Sequence, residues 1–380
     1  MNNSIFDFLD ALYAPENGLW KFSSDCPPSL LATGHAVLAL EHSNELRRLT
    51  STQRSDICDA ILSCQQDDGT FKEPLLEIET KLSHGLDYAN EEVTTFCQQV
   101  LNAIGTEPPA PRRWSDDRHL PQRICDYLSS FTWDNPWRDS NFVMFLLSQL
   151  THDLEAHGIK QYRESIFVAM DWLDQNQDPK NGMWASSKNS SLRNVMAAWF
   201  HFTFYYQHFG RELKFCDRIV DTCLSLQNPE GLFDFGTGAI GQNCLDYDAI
   251  DLLVLASRNR NYRSEDVTKC LENTVKALGA LENPDGGWAN SKWSRKPWFG
   301  GRIANRLPGW LRDATTKVVE NKANYSVCAS FMVAPSIESN PFCSWFRPLS
   351  INIAKLYLEG SADNCNFRSL PFLGYHKGLA

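Results

Sequence analysis

At 380 residues and 43% hydrophobic content, the chain can bury a large core. Its formal net charge of −10 argues against general nucleic-acid binding, which needs a basic footprint. No apolar run is long enough to span a membrane, and residues 1–7 lack the basic and apolar regions of a signal peptide, so the expected location is the cytoplasm. The 12 cysteines include no Cys-x-x-Cys pair and read as reduced, buried apolar residues. Cys58, Cys64 and His84 match no zinc spacing, so no metal and no cofactor are expected.

In chain order, one unit recurs roughly every fifty residues. It reads as helix, turn, helix, and the turn carries a glycine followed by an aromatic residue. The copies place Gly18 before Trp20, Gly69 before Phe71, Gly182 before Trp184, Gly231 before Phe233, and Gly287 before Trp288. A sixth copy around Trp133 and Trp137 keeps the aromatics and lacks the glycine. Asn, Asp and Pro stop the first helix, and glycine takes the left-handed backbone angle that other residues resist. Gln66, Gln177, Gln227 and Glu282 open four of these turns and can bond the backbone groups left free there.

Amphipathic helices are predicted before the turns, at 4–13, 51–65, 121–131, 162–175, 216–226 and 265–281. More uniformly apolar helices follow them, at 30–40, 92–104, 141–150, 194–209, 248–257 and 324–333. A helix apolar on most sides is buried on most sides, so six outer helices around six inner ones predict an all-α (α/α)6 toroid. Its parallel inner helices share one N-terminal rim. That rim collects His35, Glu91, Glu92, Arg138, Asn141, Arg193, Asn194, Asp246, Asp248, Asn324 and Tyr325. Acids there fit helix capping or a substrate site, and both readings stay open at this point.

The segment 107–114, rich in proline and ending in Arg112, Arg113 and Trp114, reads as an exposed outer crossing. Residues 288–322 form a long basic and aromatic insertion. Trp293, Trp298, Phe299 and Trp310 lie there among Lys292, Arg295, Lys296, Arg302, Arg306 and Arg312. Such a loop fits a lid that holds an anionic group, or a solvated loop with ordinary ion pairs. A further helix is predicted at 342–358, closing the ring, and a tail without period follows at 361–380. The expectation is one toroid domain over 1–380.

The glutamine–glycine–aromatic turns between paired helices resemble the QW repeats of squalene-hopene and oxidosqualene cyclases. The same toroid occurs in class II diterpene cyclases and protein prenyltransferase β subunits. That family opens an inner helix with Asp-x-Asp-Asp-Thr-Ala. Here Asp246-Tyr247-Asp248-Ala249-Ile250-Asp251 stands at a similar place, with Ala249 where a further Asp is expected. The resemblance implies acid-initiated cyclisation or isomerisation of an isoprenoid or similar hydrophobic substrate. Asp248 would be the acid, Asp246 its partner and Asp251 a supporting carboxylate. Substrate contacts would come from Glu91, Glu92, Asn194, Trp199, Tyr325 and the loop residues Arg295, Trp298 and Arg302, the last group meeting any anionic head group. Peripheral contact with a membrane is compatible with such a substrate; the oligomeric state is not legible. Two other functions use the same fold. One is a glycoside hydrolase or polysaccharide lyase pairing Glu91 or Glu92 with Asp248; the other is a non-catalytic scaffold.

Overall fold

The structure, a computed structural model, describes residues 3–77, 82, 84–106, 109–184, 191–233, 244–291, 295–297, 316–318, 322–324, 331–362 and 365–377. Twelve α-helices lie among the described residues and alternate between two layers. The outer layer holds α1 (Ile5–Asp10), α3 (Ser51–Leu62), α5 (Pro121–Ser130), α7 (Gln161–Asn176), α9 (Cys216–Leu226) and α11 (Ser264–Gly279). The inner layer holds α2 (Leu30–His42), α4 (Leu86–Ile104), α6 (Pro136–His157), α8 (Leu192–His208), α10 (Cys244–Ser257) and α12 (Pro341–Glu359). Each inner helix packs on the next, and α12 packs on α2, so the inner ring is closed. The expected all-α toroid is the observed fold.

The burial pattern separates the layers. All of α2 except Glu41 is buried, whereas α3 buries only Ile57, Cys58 and Ile61. α8 carries Trp199, Phe200, Phe202, Phe204, Tyr205 and Tyr206, all buried. Aromatic residues cost roughly 0.5 kcal/mol each in helix propensity. Burial returns roughly 2 kcal/mol for each large apolar side chain, so packing fixes this helix.

The turns tie neighbouring outer helices together. The Gln177 amide donates to the carbonyl of Gly182 at 2.6 Å and to that of Lys214, just before α9, at 3.1 Å. Gly182 has φ +72°, and a Cβ there would sit 2.8 Å from the Phe215 carbonyl oxygen. The last turn does the same to the first helix. A Cβ on Gly286 (φ +87°) would meet the Ser4 carbonyl at 2.4 Å, so this close approach joins the two ends of the outer ring. In the second turn the clasping residue is Gln65, not Gln66; its amide reaches Gly69 and Ala110 at 3.4 and 3.5 Å. Trp133, in the copy without glycine, itself takes a positive φ of 57°.

The ends of the inner helix expected at 324–333 are strand instead: Lys322–Asn324 (β6) pairs antiparallel with Val333–Pro335 (β7), and residues 325–330 lie outside the described residues. The helix expected as an addition is itself the sixth inner one, started by the Asn340 cap and Pro341 in its first turn. Inner helices also begin earlier than expected, at Leu86, Pro136 and Cys244. The proline-rich crossing is not simply exposed, because Arg112 turns inward with a side chain only 8% exposed. Short strands complete the fold: β1 (Tyr13–Ala14), β2 (Leu19–Lys21) and β3 (Pro28–Ser29) form one antiparallel sheet, and β4 (Arg295–Pro297) pairs with β5 (Thr316–Val318). Among the described residues, no helix is long and apolar enough to cross a membrane.

Candidate active site

Five of the six turns deliver their aromatic residue to an inner helix through one recurring hydrogen bond. The backbone N–H of Trp20 donates to Thr33 Oγ1 at 2.9 Å, and that of Phe71 to Thr94 Oγ1 at 3.0 Å. The N–H of Trp133 donates to Asp139 Oδ2 at 3.1 Å, and that of Trp288 to Ser344 Oγ at 3.0 Å. In the fifth unit the acceptor is Asp246, whose Oδ1 takes the Phe233 N–H at 2.6 Å. Its other oxygen accepts from the fully buried Arg347 guanidinium of α12. Asp246 therefore holds the turn to the ring, as Thr33 and Ser344 do in their own units.

Asp248 has a different setting. Two residues on in a helix is about 200° of rotation, so its side chain leaves the turn and faces the barrel axis. There it lines a cavity of about 80 Å³ with Glu92, His35, His201, Asn141 and Cys244. The cavity lies among the N-terminal halves of α4, α6, α10 and α12, where the sequence places the rim. Tyr88, Phe96, Trp137, Phe145, Phe342 and Phe346 supply its aromatic wall. Asp248 is 1% exposed, and among the described residues its Oδ2 has no hydrogen-bond partner. Burial, reinforced by the negative charges of Asp246 and Asp251, drives its pKa well above the carboxylate range, so the acid is held protonated.

The two imidazoles have fixed tautomers. His35 Nδ1 lies 2.7 Å from the Leu31 carbonyl, which can only accept, so Nδ1 carries the proton. Ser140 Oγ donates to the Trp137 carbonyl at 2.9 Å and lies 2.8 Å from His201 Nδ1, so that nitrogen donates to the hydroxyl. Burial lowers the pKa of His35 to about 4 and that of His201 to about 3. Both rings are neutral at physiological pH and keep a basic Nε2 lone pair.

The floor comes from the tail, which the sequence leaves without an assignment. Leu373 lines the cavity and Phe372 packs edge-on against Phe96. The tail is bonded to four inner helices, reaching α8 through the Lys377 N–H, which donates to Gln207 Oε1 at 3.1 Å. Arg368 pairs with Glu41 of α2 and donates to the Gln99 side chain of α4 at 2.7 Å. The Gly374 N–H donates to Tyr247 Oη of α10 at 2.7 Å. Asp251, one turn below Asp248, meets His376 Nδ1 at 3.1 Å and accepts from Thr203 Oγ1 of α8 at 3.3 Å. Asp251 thus anchors the plug and does not line the cavity.

Glu91 and Glu92 separate. Glu92 lines the axial cavity, whereas Glu91 faces a polar groove of about 720 Å³ between the second and third units. Arg112 grips Glu91 through two bonds of 2.5 and 2.8 Å, Arg118 adds one of 2.8 Å, and Gln149 one of 2.9 Å. Burial alone would raise the Glu91 pKa, but the Arg112 contacts, with Arg118 and Gln149, outweigh it and hold the carboxylate below its ordinary value.

Two further expected site residues, Trp199 and Asn194, do not line the cavity. Trp199 is fully buried in core, against Phe202 and Tyr206. Asn194 sits in the first turn of α8, where its N–H takes the Ser191 cap at 3.2 Å. Of the loop, residues 288–291, the backbones of Arg295–Pro297 and Thr316–Val318, and the start of β6 are placed; the Arg295 side chain, Trp298, Arg302 and Tyr325 lie outside what is described. His35 and Asn141 were legible as rim residues, but His201, Cys244 and Leu373 were not. The one available signal for His201 was an ionisable residue inside the apolar run Trp199–Phe204. Among the described residues, the one trio of His, Cys, Asp or Glu ligand atoms that converges lies outside the cavity.

A family model, the prenyltransferase alpha-alpha toroid domain, matches residues 1–86 and 183–297, together more than half of the chain. No curated protein matches it.

Proposed function

Because the chain belongs to the prenyltransferase alpha-alpha toroid domain family, we propose that it acts on an isoprenoid alkene by acid-initiated isomerisation or cyclisation in the axial cavity. The observation that carries this reading is Asp248: a buried, neutral carboxyl with an unpartnered oxygen in an aromatic-walled cavity. The Asp248 O–H would add its proton to one alkene carbon and leave a cation on the other. Aromatic faces stabilise such a cation in a site without water. Loss of a neighbouring C–H proton to Nε2 of His201 or His35 would form the new double bond, and the proton would return to the Asp248 carboxylate. No cofactor enters this scheme.

The cavity volume narrows the substrate. Pockets that enclose a drug-sized ligand hold about 300–1,000 Å³. At about 80 Å³ this one suits a terminal isoprene unit, not a whole triterpene. In this reading the rest of the substrate leaves through the mouth, where any anionic head group would meet the basic loop carrying Arg295, Trp298 and Arg302. Of the two sugar-cleaving pairs, Glu91 with Asp248 is the less well supported, because Glu91 is held between two arginines in a separate groove; Glu92 does share the axial cavity with Asp248, but a cavity of about 80 Å³ is below the size that encloses a sugar-sized ligand.

The test is incubation of the purified chain with squalene, oxidosqualene and geranylgeranyl diphosphate in D2O, followed by mass spectrometry. The expected outcome is a product with one solvent deuterium, lost in Asp248→Asn. Turnover that survives Asp248→Asn would sink the acid role, and a wild type that neither binds nor converts any of the three would favour the scaffold function.

A further inference from the structure

The C-terminal end of α6 carries three potential ligands that the axial chemistry does not use. One nitrogen each of His152 and His157 and one oxygen of Asp153 all lie within 4.8 Å of one another. Asp153 and His157 are four residues apart and share a helix face, and side chains near a helix end lean back over the preceding turn.

The electrostatics of this group are incomplete. Asp153 is fully buried. Among the described residues its partners are the Arg112 backbone N–H at 3.3 Å and His152 Nδ1 at 3.3 Å, with no Lys or Arg side chain in ion-pair range. A buried carboxylate needs a compensating charge. Among the described residues the Nε2 of His157 is also buried without a hydrogen-bond partner, in a ring 5.9 Å from that of His152. The last turn of a helix carries partial negative charge and favours a cation.

We propose that His152, Asp153 and His157 bind a divalent transition metal. Two imidazoles and one carboxylate, with a fourth position for water, suit zinc. The site is distinct from the axial cavity, which none of the three residues lines. Its role is to fix the connector between α4 and α5. Asp153 takes the Arg112 N–H, and the Arg112 side chain holds Glu91, so a metal on Asp153 locks the connector across α4 and α6.

The experiment uses the full chain without a purification tag, stripped of metal and titrated with Co2+ and then Zn2+. The expected result is one Co2+ per chain with a visible d–d spectrum and no thiolate charge-transfer band, displaced by Zn2+. Zn2+ should raise the melting temperature of the wild type. His157→Gln, at a partly exposed position, should weaken Co2+ binding at least about tenfold and remove most of the Zn2+-induced rise. No bound Co2+, a thiolate band that places the metal on cysteines, or unchanged affinity in His157→Gln would each overturn the site. Should His157→Gln fail to fold, the wild-type spectrum decides: a thiolate-free d–d band supports the site and its absence rejects it.

Discussion

The outer groove and the axial cavity each bury a carboxyl group and treat it in opposite ways. Glu91 meets Arg112, Arg118 and Gln149, and remains an anion with its pKa held down. Asp248 meets aromatic rings and the negative charges of two other aspartates, and is pushed into its neutral form. The functional group is the same, so the surroundings alone make one a paired anion and the other a neutral carboxyl group. On α4, one residue separates the two regions: Glu91 faces the groove and Glu92 the cavity.

The sharpest way to break this contrast is to remove the two carboxyl groups separately. Asp248→Asn replaces a neutral acid by a neutral isostere. On the proposed isoprenoid chemistry, turnover should fall by about 10²–10⁴-fold, the usual worth of a general acid, while urea unfolding shifts by less than about 1 kcal/mol. Glu91→Gln should do the reverse. It strands two arginine charges, one of them buried, so stability should fall by about 3–5 kcal/mol, while the remaining folded protein keeps its turnover.

The neutrality of the imidazoles gives a pH test. His35 and His42 have pKa values lowered by burial to about 4, against an ordinary 6.5. The unfolded chain therefore takes up protons first as the pH falls. The stability these rings contribute is complete above 6.5 and is lost as the pH drops towards 4. Each ring accounts for roughly 3 kcal/mol by linkage. Urea unfolding from pH 7 downward should show this decline, and His42→Gln should remove one ring's share of it.

The smallest expected effect is at the floor. Leu373→Ala should cost about 2 kcal/mol and deepen the cavity, moving preference towards bulkier isoprenoid ends in a competition between substrates. A preference that does not move would remove Leu373 from the binding site.

The toroid was legible because its turns are local. Glycine, a helix stop and an aromatic residue must lie within a few positions, and the spacing of those signals counts the helix pairs. The sixth inner helix escaped because the N–H of Trp288 finds its acceptor, Ser344, only after 56 residues. The tail escaped for a related reason: Arg368, Gly374 and His376 hold it through partners more than a hundred residues away, which no local period records. The resemblance already set Asp248 apart from Asp246, as acid and partner. The physical ground for that division was not legible, since it depends on which side of α10 faces Arg347 and which faces the axis. The separation of Glu91 from Glu92 was hidden in the same way, because Arg112 lies in a crossing whose inward turn has no sequence signature.

The central claim is that Asp248 is protonated while Glu91 is ionised. Infrared difference spectroscopy at neutral pH addresses it without a substrate, by subtracting the spectra of Asp248→Asn and Glu91→Gln from that of the wild type. The account predicts that Asp248→Asn removes a protonated-carboxyl C=O stretch and that Glu91→Gln removes a carboxylate stretch. A carboxylate band lost in Asp248→Asn would show an ionised Asp248 and contradict the account at its centre.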